Sequence, residues 1–100
     1  MERQLIRERF AVVFRVRGRK LAGALEVDDE RLMLHGRADG EAVEFEIPRA
    51  DLSAVRIGRG RGERLNGYPT LLLERPGEPD VQIAPLGAAR LAEIAAVLRA

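Results

Sequence analysis

From Phe10 the chain alternates, with Phe10, Val12, Phe14 and Val16 apolar and Ala11, Val13, Arg15 and Arg17 between them. A period of two belongs to a strand with one face in a core, not to a helix. The turn dipeptides then set the pairing. A turn at Gly18-Arg19, with glycine at its first central position, pairs Val16 with Leu21, Phe14 with Gly23, Val12 with Leu25 and Phe10 with Val27. A turn at Asp29-Glu30 pairs Val27 with Leu32 and Leu25 with Leu34. One at Asp39-Gly40 pairs Leu34 with Phe45 and Leu32 with Ile47. Every inward position is apolar or glycine. A slip of one residue would invert a face, so the three turns together specify a four-stranded meander.

Pro48 ends the fourth strand. A fifth is expected over residues 53 to 58, a sixth over 70 to 74, a turn at Pro76-Gly77 and a seventh over 81 to 84. The inward face of these strands stays open, because Leu71, Leu72 and Leu73 are consecutive. From Ala88 to Arg99 the period changes, and Leu91, Ile94, Ala95 and Leu98 form the apolar stripe of a helix that Leu86 could staple. One hundred residues suit one domain. Residues 1–9 are an N-terminal segment of unassigned structure, and 10–100 form the domain.

Four strands, then three, then a terminal helix, with the segments FRVRGRKLAGALEV, IPRADLSAVRI and AARLAEIAAVLRA, resemble the pleckstrin-homology (PH) superfold, especially small bacterial PH-like domains. The resemblance implies a mainly β fold with one C-terminal α-helix: a seven-stranded sandwich or partly open barrel, four-strand meander plus three strands, capped by the helix. It also implies a non-enzymatic binding or assembly module, whose expected partner is another protein or a second copy of the chain. Eukaryotic PH domains usually carry a tryptophan in the final helix, and this chain has none.

The reactive inventory agrees with a non-catalytic role. There is one each of His, Ser, Thr, Tyr and Lys, and no Cys. His35 and Ser53 are the one conceivable base and nucleophile, yet His35 is expected on the outer face of the third strand, opposite Glu44. One histidine with carboxylates at strand spacing makes no zinc constellation, and no cofactor is expected.

Charge is nearly balanced at +1, but unevenly spread. Residues 1–20 hold seven Arg or Lys against two acids, and residues 21–48 hold eight acids against two bases. Two basic stretches are candidates for anions or a partner. In the first hairpin, Arg17-Gly18-Arg19-Lys20-Leu21, preceded by Arg15, matches the second half of the basic motif of lipid-binding PH domains. Anion recognition there predicts that Arg17, Arg19 and Lys20 converge with Arg37. The other stretch is GRGRGERLNG, residues 58–67, with Arg59, Arg61 and Arg64. It fits neither GxxxxGK[ST] nor GxGxxG, because Glu63 and Leu65 stand where glycine is required and the one lysine is Lys20. With Arg56 its net charge near +3 is worth about 3 kcal/mol at an anionic surface, weaker than millimolar binding. A solvated, mobile hairpin turning at Asn66-Gly67 is expected, and no specific nucleic acid.

Domains that bind cyclic di-GMP in the PilZ manner share the size and the terminal helix. Their RxxxR is matched by Arg3 and Arg7, and Asp51-Leu52-Ser53 begins their second motif, but the glycine needed at 56 is Arg56. No apolar run nears the roughly 20 residues of a membrane span, and MERQLIRERF lacks a secretory apolar core, so a cytoplasmic location is expected.

Overall fold

The alternation from Phe10 to Ile47 sets the first four strands of the computed structural model, which describes residues 8–99. These are β1 (Glu8–Val16), β2 (Arg19–Val27), β3 (Arg31–Ala38) and β4 (Glu41–Pro48). Glu8 and Arg9 thus belong to β1, whereas residues 1–7 of the N-terminal segment, with Arg3 and Arg7, lie outside the described residues. The β2–β3 and β3–β4 registers are those read from the turns, with Leu25 opposite Leu34, Val27 opposite Leu32, and Leu34 opposite Phe45.

The first hairpin differs. Its turn is Arg17-Gly18, not Gly18-Arg19, and the register moves by two, placing Phe14 opposite Leu21 and Val12 opposite Gly23. Arg17 and Gly18 have φ of 51° and 81°, nearly the values of Asp39 and Gly40, 52° and 81°. Positive φ at both central residues is the type I′ signature, whose twist matches that of the flanking strands, and the glycine takes the second position. A shift of two leaves every side chain on its expected face.

The second half adds β5 (Ala54–Gly58), β6 (Arg64–Leu65), β7 (Tyr68–Arg75) and β8 (Glu78–Pro85). Eight strands therefore form, one more than the seven expected. The extra one, β6, is two residues that pair with Tyr68 and Pro69 across the Asn66-Gly67 turn. The antiparallel order is β4-β3-β2-β1-β8-β7-β5, so β1 joins the meander to the later strands and the sheet stays open between β4 and β5.

The inner face closes on one core. Phe14 and Phe45 meet edge to face at 6.3 Å across it, and Leu71, Leu73, Val81 and Ile83 complete it from the later strands. The α1 helix (Leu91–Arg99) adds buried Ile94, Ala95 and Leu98. It starts three residues later than expected, and Leu86 is 58% exposed instead of stapled to Leu91. Arg49 holds the far end of α1: its guanidinium donates to the carbonyls of Val97 and Leu98, so a side chain satisfies the last helical acceptors. The result is a mainly β domain capped by its C-terminal helix.

The registers also define two ends. The β1–β2, β3–β4 and β7–β8 turns lie at one end of the strands. The β2–β3 turn, the ends of β5 and β8 and the start of β7 lie at the other.

Candidate functional site

The leucine run on β7 explains the Gly-rich stretch. Leu71 and Leu73 enter the main core, so Leu72 must point outward, beside Arg56 and Gln82 on the neighbouring strands. Val13 and Ala84, paired on β1 and β8, also face outward. All three are nonetheless buried, because residues 58–67 fold back over that face. Leu65, 1% exposed, packs with Val13 and Ala84 as a second small cluster. The expected solvated, mobile hairpin is therefore a docked flap, although its turn is at Asn66-Gly67 as read.

Polar contacts fix the flap in place. Gln82 Nε2 donates to Gly62 O at 3.0 Å, and the buried Thr70 Oγ1 donates to Glu63 O at 2.6 Å. The Glu63 carboxylate accepts from Gly60 N at 3.1 Å and faces Arg56 at 3.0 Å. The Gly60 hydrogen bond first, and then Arg56, hold the Glu63 carboxyl below the usual range. Bonds from Glu74 first and Glu63 second push the Arg56 guanidinium up. Gly58, paired with Thr70, is needed for room: a Cβ there would lie 2.6 Å from Leu72 Cδ1 and 2.8 Å from Glu63 Cβ.

The two basic stretches, separate in sequence, meet here. Lys20 Nζ donates to Asn66 Oδ1 at 2.9 Å, and Arg15 donates to Gln82 Oε1 at 3.3 Å, orienting the amide that holds Gly62. Arg64 donates to Arg59 O and Gly67 O, bracing the flap from within. Arg17 pairs with Glu78 at 3.1 Å, and Arg37 donates to Gly40 O at 3.2 Å. Arg17, Arg19, Lys20 and Arg37 thus share one end of the strands, but three of them turn to partners of their own. Arg19 and Arg61 are exposed, with no polar partner among the described residues.

Where the flap leaves β5 and returns to β7, the fold leaves a groove of about 530 Å³. Ile57, Tyr68, Pro69, Pro85 and Leu91 supply its apolar surface. Arg59 and Arg90 also line it, and neither guanidinium has a hydrogen-bond or ion-pair partner among the described residues. Tyr68, 69% exposed, and Leu86, next to the lining Pro85, are the two large hydrophobic side chains left exposed among those residues.

The conceivable catalytic pair stays apart. His35 lies on β3, with Nδ1 3.2 Å from Glu44 and Nε2 2.6 Å from Glu26 in a geometry that misses a hydrogen bond. Ser53 precedes β5, at the other side of the strand order, and its Oγ donates to Glu74 O. Among the described residues no group of three or more His, Cys, Asp or Glu could hold a metal ion, and no helix is long and apolar enough to cross a membrane.

Of the sequence candidates, only Arg59 lines the groove; Tyr68 and Arg90 went unnoticed. The available signal was the lone tyrosine, set between a glycine and a proline where a strand begins.

Fold and groove together define a mainly β, helix-capped domain with an apolar recess rimmed by two guanidinium groups that have no partner among the described residues. No protein-family model, curated protein or solved structure matches the chain.

Proposed function

We propose that this chain is a cytoplasmic, non-enzymatic PH-like binding and assembly module, and that its partner is a protein segment carrying apolar and acidic side chains. The observation that carries this reading is the groove. Its lining holds the exposed Tyr68, two arginines whose guanidinium groups have no partner among the described residues, and no acid. Exposed apolar surface with a charged rim is what protein-binding sites present. The order of strands and helix supports the PH-like reading. The anion-binding alternative at the first hairpin is weakened by the engagement of Arg17 and Lys20 with Glu78 and Asn66.

Tyr68 is the one tyrosine and there is no tryptophan, so its emission reports on the groove. Titration with a synthetic peptide alternating glutamate and leucine should change that emission, and Arg59→Glu/Arg90→Glu should abolish the response. A rise in melting temperature with inositol phosphates or cyclic di-GMP, removed by Arg17→Ala/Lys20→Ala, would move the site to the first hairpin and defeat this reading.

A further inference from the structure

We infer that the occupant of the groove is the acidic β4 edge of a second copy of this chain, so that molecules join head to tail. The inference rests on the groove being a protein-binding site. Among the described residues β4 ends the strand order and pairs only with β3, so along its other side its backbone N–H and C=O groups meet no strand of those residues. Such a row is a template for another chain. Around it stand Asp39, Glu41, Glu44 and Glu46, all exposed. Glu44 faces His35 and Glu46 pairs with Arg31, but Asp39 and Glu41 have no polar partner among the described residues. Val43 and Phe45, on the inward side of the same strand, are only half-buried.

Charge then decides which surfaces can meet. Pairing β4 with its own copy would set glutamates against glutamates, and facing two grooves would bring four guanidinium groups together; both arrangements are repulsive. Only the unlike pair, β4 against groove, matches acid to Arg59 and Arg90 and offers apolar side chains to Tyr68 and Leu91. Asp39 and Glu41 sit at the strand end that carries the β3–β4 turn, and the groove sits at the other. Each molecule therefore presents one half of the contact at each end. A contact between unlike surfaces propagates from molecule to molecule, into a ring if the rotation closes and a filament if it does not.

The experiment is molar mass by light scattering, with Tyr68 emission recorded in parallel. The wild-type mass should rise above one chain with concentration. It should fall back as salt goes from about 0.1 M to about 1 M, where the screening length drops from roughly 10 Å to roughly 3 Å. Arg59→Glu/Arg90→Glu alters the groove, and Glu41→Arg/Glu44→Arg alters the edge. All four positions are exposed, and unchanged melting temperatures verify folding. Each variant alone should associate at least tenfold more weakly than wild type. Mixing them should restore assembly, because unaltered edge meets unaltered groove and the two reversed surfaces also match. A wild type of single-chain mass throughout, variants that assemble like wild type, or a mixture that fails to recover would each overturn the inference. If the wild type is a single chain while Tyr68 still responds to the glutamate–leucine peptide, self-pairing fails and the groove reading stands. If Tyr68 responds to neither, both fail.

Discussion

The two faces of β7 are buried equally but covered differently. Leu71 and Leu73 lie in a core drawn from seven strands and the helix, where neighbours from distant parts of the chain enclose each side chain. Leu72, one residue away and 2% exposed, lies on the opposite face under the flap, beside a cluster of only Val13, Leu65 and Ala84. Low exposure therefore does not measure how cooperative a site is. The inner face opens only if the sheet unrolls. The outer face opens when ten residues lift from a few hydrogen bonds and one leucine.

Truncation tests that contrast most strongly. Phe14→Ala removes a ring from the middle of the core and should cost about 3–5 kcal/mol, read as a lower urea midpoint with one cooperative transition. Leu65→Ala should cost about 2 kcal/mol, because the flap can settle onto the smaller side chain. Its signature should be local: hydrogen exchange at the Gly60 and Glu63 amides should speed up while β2 and β3 keep their protection. Equal losses for both variants, with protection lowered everywhere, would show one core instead of two. Gly58→Ala comes next, at about 1–2 kcal/mol. Leu72 Cδ1 can swing away from a new methyl group, but Glu63 Cβ, 2.8 Å from it, cannot. That loss, too, should appear first in flap exchange.

The same division separates what the sequence made legible from what it did not. The β2–β3 and β3–β4 registers were readable to the residue, because a turn dipeptide and an alternating face gave independent constraints that agreed. β1–β2 was readable only to its face: Gly18 can serve either position of a two-residue turn, and the alternatives differ by two residues, a shift the apolar pattern cannot register. The flap was hidden because its glycines and arginines have the composition of a solvated loop, and Leu65 finds Val13 and Ala84 only through folding. A clue was present in the outward apolar residues, Val13, Leu72 and Ala84, which on a bare sheet face would have been wet. The groove was less legible still. It forms where β5 and β8 end and where β7 and α1 begin, so no local window of sequence contains it.

The smallest effect expected is also the most selective for the outer face. The carboxyl of Glu63 is held below its usual range by the Gly60 N–H first and by Arg56 second. A carboxyl whose folded value is depressed binds protons less readily folded than unfolded. Its contribution is present above the unfolded value of about 4.3 and is lost as pH falls through the lower folded one. Glu63 lies in the flap, so acidification in that window should release the flap before the core. Exchange at Gly60 and Glu63 should rise while the near-ultraviolet signal of the phenylalanine core holds. Glu63→Gln keeps an acceptor for Gly60 but cannot titrate. It should flatten the pH profile of flap exchange and loosen the flap slightly at neutral pH, where the charge facing Arg56 is gone. If the profile is unchanged in Glu63→Gln, the carboxylate does not hold the flap, and Leu65 with the Gln82 and Thr70 hydrogen bonds must account for the cover on the outer face.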